Sequence, residues 1–233
     1  MPGHSRSFSA STPLLPSSYT LPSFADALAP LIRAHAKGGR AHVVGLSMGG
    51  FVALELARRH PDLCRSVWVT GAAPLAGWKG WVAARPGWVL AGLMGVVGGI
   101  PEGMYEWLAA RQGMREHRAL RGEMKVNGGR GEVMEGVYGS ILDEGVGGWE
   151  GVGRVGLGGG LRVLSVAGGE QDDVEATRRM GRVWRELGRE GCVAAVVKGA
   201  VHAWNLQMPE VFAEGVRAWV EGRELPGEFE LLE

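Results

Sequence analysis

The sequence predicts an α/β fold: a mostly parallel β-sheet with helices on both faces and a helical insert. Short apolar runs typical of buried strands alternate with amphipathic stretches, a pattern that indicates parallel strands joined by helices. The chain has 233 residues and is 45% hydrophobic, which suits a single core with an insert. One glycine-rich block interrupts the alternation and marks that insert.

The regular elements are predicted in chain order from apolar spacing and from helix stop signals. Helices with one apolar face are expected at 24–36, 48–59, 174–188 and 209–221. Buried strands are expected at 42–46, 66–70, 162–167 and 192–197. Ser23 is the predicted N-cap of the first helix, and Pro61 prevents the second helix from continuing.

The block at 77–160 contains 24 of the 40 glycines and no recognisable strand. Helical segments are expected near 87–97, 103–112, 114–126 and 131–143, and a mobile return loop over 145–160. The predicted organisation is therefore a first part of the core at 1–76, a helical cap insert at 77–160 and a second part of the core at 161–233.

Composition excludes several classes of protein. Lys and Arg total 25 against 25 Asp and Glu, so the basic excess typical of nucleic-acid binding is absent. The longest apolar stretch, 89–100, is too short for a membrane span, and no targeting signal precedes it. Cys64 and Cys192 are too few for a disulfide scaffold or a zinc site. We therefore expect a cytoplasmic protein without a metal, a membrane span or a nucleic-acid partner.

The segment Gly45-Leu46-Ser47-Met48-Gly49-Gly50 carries the strongest indication of chemistry. A Gly-x-Ser-x-Gly pattern between a buried strand and a helix is typical of a nucleophile elbow, a tight turn that exposes a serine hydroxyl. Gly45 and Gly49 are expected to let the strand and the helix approach closely. Ser47 is the predicted nucleophile.

A serine nucleophile needs a base and a group that orients the base. Among the six histidines, His202 follows the last predicted strand and so lies at the same sheet edge as Ser47. Asp172 and Asp173 follow the strand at 162–167. We favour Asp172 as the acid and expect Asp173 to cap the next helix, with Asp173 and then Glu170 as the alternatives.

With these residues in place, the sequence resembles the α/β-hydrolase family, in its cap-bearing, serine-nucleophile lipase/esterase-like branch. The resemblance extends from residue 2 to about 222. It rests on the elbow GLSMGG, the helix ending in ARRHPD, and the loops GGEQDD and GAVHAW. It implies a triad of Ser47, His202 and Asp172, a cap, no cofactor, and the backbone N–H of Met48 as an oxyanion donor.

The start of the chain departs from the family pattern. Residues 2–7, PGHSRS, look like the P-G-H-G-x-S loop that follows the fourth strand in complete members, with Ser5 in place of the second glycine. This alignment implies that four N-terminal strands and one oxyanion donor are missing. It predicts a shortened chain, a sheet completed by another chain, or a hydrolase-like protein with little or no catalysis.

The leading functional prediction is a serine hydrolase that cleaves a small apolar carboxylic ester, lactone or thioester, with C–C bond hydrolysis as a further use of the same triad. Tryptophans are candidates for an apolar substrate pocket, namely Trp78 and Trp81 in the insert and Trp204 beside His202. An exposed sheet edge, left by the missing strands, predicts self-association.

Overall fold

The computed structural model describes residues 18–75, 80–82, 84–85, 88–89, 92, 95–96, 99–114, 122, 131–142, 145–155 and 160–233. Its five-stranded sheet follows chain order: β1 Ala41–Leu46, β2 Cys64–Thr70, β3 Arg162–Gly168, β4 Cys192–Val197 and β5 Phe229–Leu231. Neighbours from β1 to β4 are parallel, and β5 runs antiparallel to β4. The predicted α/β fold with a mostly parallel sheet is thus confirmed.

Eight α-helices accompany this sheet within the described ranges. They are α1 Leu21–His35, α2 Met48–Arg59, α3 Glu102–Arg111, α4 Gly131–Leu142, α5 Trp149–Gly153, α6 Val174–Glu186, α7 Trp204–Gln207 and α8 Pro209–Glu221. Two of the four helical segments expected in the insert correspond to α3 and α4. The other two, near 87–97 and 114–126, lie mostly outside the described residues, and the division into core and cap stays a prediction.

The core is divided between the two faces of the sheet. On one face α1, α2, α4 and α6 pack over inward side chains such as Val67 and Val163. On the other face Trp68 packs with Trp204 and with Phe212 of α8. Burial on both faces explains why β2 and β3 are almost continuously apolar in sequence.

The first helix begins earlier than the sequence predicted. Thr20, not Ser23, is the N-cap, and the two side chains form a reciprocal capping box in which Ser23 accepts from the Thr20 N–H. Pro22 in the first turn needs no hydrogen-bond acceptor, so it is compatible with helix there. The extra turn buries Leu21 against the core.

The expectation of a mobile loop over 145–160 is wrong for most of its length. Trp149–Gly153 forms α5, and three valines around it, Val146, Val152 and Val155, are fully buried. The indole N–H of Trp184 donates to the Val152 carbonyl at 3.0 Å. A Cβ on Gly151 would lie 2.0 Å from the Gly145 carbonyl oxygen, so glycine here permits close packing.

The short strand β5 was not predicted. Three residues with one glutamate carry little periodic signal, and their pairing depends on the distant strand β4. The pairing places Phe229 against Trp68, with ring centroids 5.5 Å apart, and buries Leu232. β5 therefore closes one end of the apolar layer under α8.

The opposite end of the sheet is less well covered. Within the described residues β1 pairs only with β2, and Val44 lies beside Trp68 in the register. Trp68 is buried beneath the α8 layer, whereas Val44 is 44% exposed. The apolar face therefore extends past its covering helix at β1.

We expect this edge to promote self-association, because an exposed apolar edge strand can bury surface against a second copy. Light scattering after size-exclusion chromatography should show a mass that rises with concentration. Val44→Lys should lower that mass toward the monomer. Leu231→Lys is the matched control on the other edge strand, where Leu231 is 59% exposed, and it should leave the mass unchanged. A monomer at all concentrations would contradict the prediction.

The two cysteines lie inside the sheet layer. Cys64 begins β2 and Cys192 begins β4, and both are free thiols. Burial raises the pKa of each thiol to about 11. At neutral pH both are therefore protonated and poorly nucleophilic.

We expect a thiol reagent at pH 8 to react about 10²-fold more slowly with the native chain than with the chain in urea. The reason is that thiolate is scarce and access is blocked until the sheet opens. Cys64→Ala and Cys192→Ala would each halve the amplitude in urea. Fast reaction of native protein would show that a thiol is accessible in the fold.

Candidate active site

Ser47 occupies a tight turn between β1 and α2. Its backbone adopts φ 55° and ψ −123°, the only positive φ among the described non-glycine residues. It stands at the N-cap of α2, yet its side chain makes no capping hydrogen bond. A serine in an ordinary helix cap would accept from the first turn, so this conformation is the one expected of a nucleophile elbow.

Close packing around the turn requires Gly45, as the sequence suggested, and Gly50 in place of Gly49. A Cβ on Gly45 would lie 2.2 Å from the Gly49 carbonyl oxygen, and one on Gly50 would lie 2.5 Å from the Cβ of Ala72, which follows β2, and 3.3 Å from the Gly45 carbonyl oxygen. Gly49 has open space where its Cβ would be. The close approach thus depends on Gly45 and Gly50 rather than on Gly49.

Asp172 is held at the carboxyl end of β3. Its backbone N–H donates to the Gly168 carbonyl at 2.9 Å, and its Oδ2 accepts from the Gly168 N–H at 2.8 Å. The side chain is 6% exposed. Its other oxygen, Oδ1, lies 2.5 Å from Nδ1 of His202, so both carboxylate oxygens have partners.

Asp173 has the structural position that was expected of it. It is the N-cap of α6, and its Oδ1 accepts from the Ala176 N–H at 2.8 Å. Glu170, the third alternative, is exposed, and its backbone N–H donates to the Ala200 carbonyl. Of the three alternatives, Asp172 is the one whose carboxylate contacts the imidazole.

His202 follows β4 in a loop held by two glutamine side chains that the sequence analysis did not single out. Its own N–H donates to Oε1 of Gln171 at 3.0 Å. Gln207 accepts from the Val201 N–H and donates to the Gly199 carbonyl. Spacing alone gave no signal for them, because both glutamines act on backbone groups.

The imidazole orientation follows from its partner. A carboxylate can only accept, so Nδ1 of His202 carries the proton it shares with Asp172. Nε2 is then left with its lone pair in the neutral ring. The imidazole is 41% exposed, which leaves that nitrogen accessible to a reacting group.

The end of β2 lies between the serine and the histidine. The Ser47 N–H donates to the Thr70 carbonyl at 2.8 Å. The next residue, Gly71, adopts φ 62° directly beneath the His202 ring. The Ser47 turn therefore contacts Thr70, the last residue of β2, and His202 lies over Gly71, the next residue, as expected when parallel strands end at a common edge.

The other described histidines lie elsewhere. His42, near the opposite end of β1, shares a 2.8 Å hydrogen bond with Ser66. His60 contacts Asp26 beyond the end of α2, and His35 ends α1. His4 and His117 lie outside the described residues, as does the whole PGHSRS segment.

The predicted substrate-contacting tryptophans have different surroundings. Trp204 is 0% exposed and donates its indole N–H to Oγ1 of Thr70 at 2.9 Å. It lies in the core beneath the site. Trp81 is 63% exposed and stacks with the Arg85 guanidinium, and Trp78 lies outside the described residues.

A cavity of about 430 Å³ lies apart from this edge. It is lined by Thr20, Leu21, Pro22, Glu55, Arg58, Ser140 and Gly145. The buried Glu55 carboxylate in its wall is paired with Arg58 through two hydrogen bonds. The cavity shares no residue with Ser47, Asp172 and His202.

The described part of the chain contains no group of three or more His, Cys, Asp or Glu placed to hold a metal ion. None of its helices combines the length and apolarity needed to cross a membrane. The predictions of no cofactor and of a cytoplasmic location remain predictions.

Comparison with known proteins identifies sequence and structural relatives. A family model described as the alpha/beta hydrolase fold matches residues 1–115. An AB hydrolase superfamily protein of Gibberella zeae is 30% identical over 210 residues, which cover 88% of this chain and 64% of that protein. The chain thus spans less than two thirds of the length of this relative.

Two solved structures of low sequence identity share the fold. E-2-(acetamidomethylene)succinate hydrolase superposes with a TM-score of 0.64 at 22% identity, over 94% of this chain and 78% of that one. A thermophilic esterase from Thermogutta terrifontis gives 0.59 at 18% identity, over 87% and 72%. Because sequence similarity and sheet architecture agree, the chain has the α/β-hydrolase fold and is similar in sequence to an AB hydrolase superfamily protein.

Proposed function

We propose that this chain is a serine hydrolase that cleaves a small apolar carboxylic ester, lactone or thioester. The observation that carries the proposal is the 2.5 Å hydrogen bond between Asp172 and His202 at the sheet edge where Ser47 occupies its positive-φ turn. The sequence similarity to α/β hydrolases supports the same reaction class.

In the first half of the reaction, Ser47 Oγ attacks the carbonyl carbon of the substrate. Nε2 of His202 takes the hydroxyl proton as the new bond forms, and the ring becomes an imidazolium. The buried Asp172 carboxylate stabilises that cation and holds the ring in the productive tautomer. His202 then gives the proton to the leaving oxygen or sulfur, and an acyl-enzyme remains on Ser47.

Negative charge develops on the carbonyl oxygen during the attack. The Met48 N–H is the first of α2 and has no acceptor within its own helix. The dipole of α2 favours an anion at this end of the helix. We propose Met48 as one backbone donor to the oxyanion.

In the second half, His202 accepts a proton from a water molecule that attacks the acyl carbonyl. Collapse of the tetrahedral intermediate breaks the bond to Oγ and returns the proton to Ser47. The carboxylic acid product leaves. Atoms and protons balance with water as the only co-substrate, and every step uses groups that this chain supplies.

The apolar substrate class is supported by exposed aromatic side chains in the segment predicted as the insert, among them Trp81 and Trp107. We propose Trp81 and Trp78 as candidates for substrate contact. Trp204 packs beneath the site and donates a hydrogen bond to Thr70.

Ser47→Ala should abolish labelling by a fluorophosphonate probe, because the probe reacts only with an activated serine hydroxyl. The measurement is gel fluorescence followed by peptide mapping to Ser47. Ser165→Ala is the control, since Ser165 is buried on β3 with its hydroxyl directed at Met180, and it should label normally. A wild-type chain that does not label would favour the alternative, a hydrolase-like protein without catalysis.

Asp172→Asn should lower kcat/KM on an activated ester by about 10⁴-fold, because an asparagine can hold the wrong imidazole tautomer. Asp173→Asn is the matched control, since asparagine caps a helix about as well as aspartate. It should keep activity within about twofold. Comparable losses in both variants, or a loss only in Asp173→Asn, would overturn the assignment of Asp172.

A further inference from the structure

Gly71 is the first residue after β2, and nothing in its sequence context marks it as part of an active site. In the structure it lies under the His202 imidazole. A Cβ at this position would stand 2.6 Å from His202 Cε1 and 2.8 Å from His202 Nδ1. It would also stand 3.3 Å from Asp172 Oδ1, so one methyl group would crowd both partners of the same hydrogen bond.

We propose that Gly71 is a positioning residue whose missing side chain allows His202 to lie over the end of β2 and bind Asp172. This inference goes beyond the triad and rests on the proposed function for its catalytic consequence. Carbon contacts below 3.0 Å are too short for ordinary packing. A methyl group would therefore push the ring away from the carboxylate.

Displacing another group instead is difficult. The Gly71 N–H donates to the Val166 carbonyl at 3.1 Å, which ties the residue to β3. Thr70, directly before it, is fixed by hydrogen bonds from the Ser47 N–H and from the Trp204 indole. Asp172 is anchored by Gly168. The half-exposed imidazole is the mobile member of the group, so it would move.

Movement of the ring would leave the Asp172 carboxylate without its imidazole partner. The Asp172 side chain is almost completely buried, and a buried acceptor that loses its donor lowers the stability of the fold. If the ring stays in place, it overlaps sterically with the added methyl group. In both cases the loss of stability caused by Gly71→Ala depends on the presence of His202.

The test separates this dependence from the ordinary strain of an alanine at positive φ. Gly188→Ala is the matched control, because Gly188 has φ 67° and open space where its Cβ would be. We expect Gly188→Ala to lower Tm by about 2–8 °C from backbone strain alone. Gly71→Ala should lower Tm further than this in the wild-type background.

The same substitutions are then made in a His202→Ala background, which completes a double-mutant cycle. With the imidazole absent, Gly71→Ala should lower Tm by no more than Gly188→Ala does. Equal costs of Gly71→Ala in both backgrounds would overturn the proposal. This comparison needs no enzymatic activity, so it stands apart from the proposed function.

Two further readouts identify the positioning role. The downfield proton resonance of the His202–Asp172 hydrogen bond should persist in Gly188→Ala and disappear in Gly71→Ala. On an activated ester, Gly71→Ala should lower kcat about 10²-fold or more with KM nearly unchanged, as expected for a misplaced base. Loss of the resonance without any change in kcat would support the positioning of His202 and refute its role as the base.

Discussion

The backbone conformation of Ser47 is the constraint on which the rest of the site depends. A non-glycine residue at φ 55° raises the free energy of the folded state by about 1–3 kcal/mol, which the surrounding interactions must offset. Here Ser47 alone separates β1 from α2, and the helix packs closely against β1 at Gly45 and against Ala72 at Gly50. The Ser47 N–H bonded to the Thr70 carbonyl joins that strained turn to β2. The serine hydroxyl is therefore placed by the packing of two secondary-structure elements and not by its own hydrogen bonds.

The acid and the base depend on a second constraint, the contact between the loops that follow β3 and β4. Backbone hydrogen bonds join these loops directly, from Gly169 to Val197 and from Glu170 to Ala200. Gln171 adds a side-chain link to the His202 N–H. Since both strands are paired in register up to Gly168 and Val197, small shifts of either loop are resisted. This explains how a half-exposed imidazole can keep a short hydrogen bond to a buried carboxylate.

The sequence alone predicted the parts of the candidate site that depend on residues close together in the chain. The strand, the glycine-flanked serine and the helix are contiguous, so Ser47 could be predicted, and the distinction between Asp172 and Asp173 followed from helix capping. It could not reach Gly71, because the need for a glycine there arises only when His202, about 130 residues later in the chain, is folded above it. β5 and α5 were missed for the same reason: their stability comes from distant partners such as Trp68 and Trp184, against weak local propensity.

The segment predicted as the insert lies close to a side chain that braces the loop before His202. A Cβ on Gly113, just beyond α3, would lie 3.5 Å from Cγ of Gln207, the side chain that braces the loop before His202. The insert therefore reaches the histidine loop from outside, while Trp204 supports the same region from the core side through Thr70. In the proposed reaction, the groups that act on the scissile bond lie on segments that directly follow strands of the sheet. We therefore propose that residues of the 77–160 segment, which approach the histidine loop from outside the sheet, select the substrate.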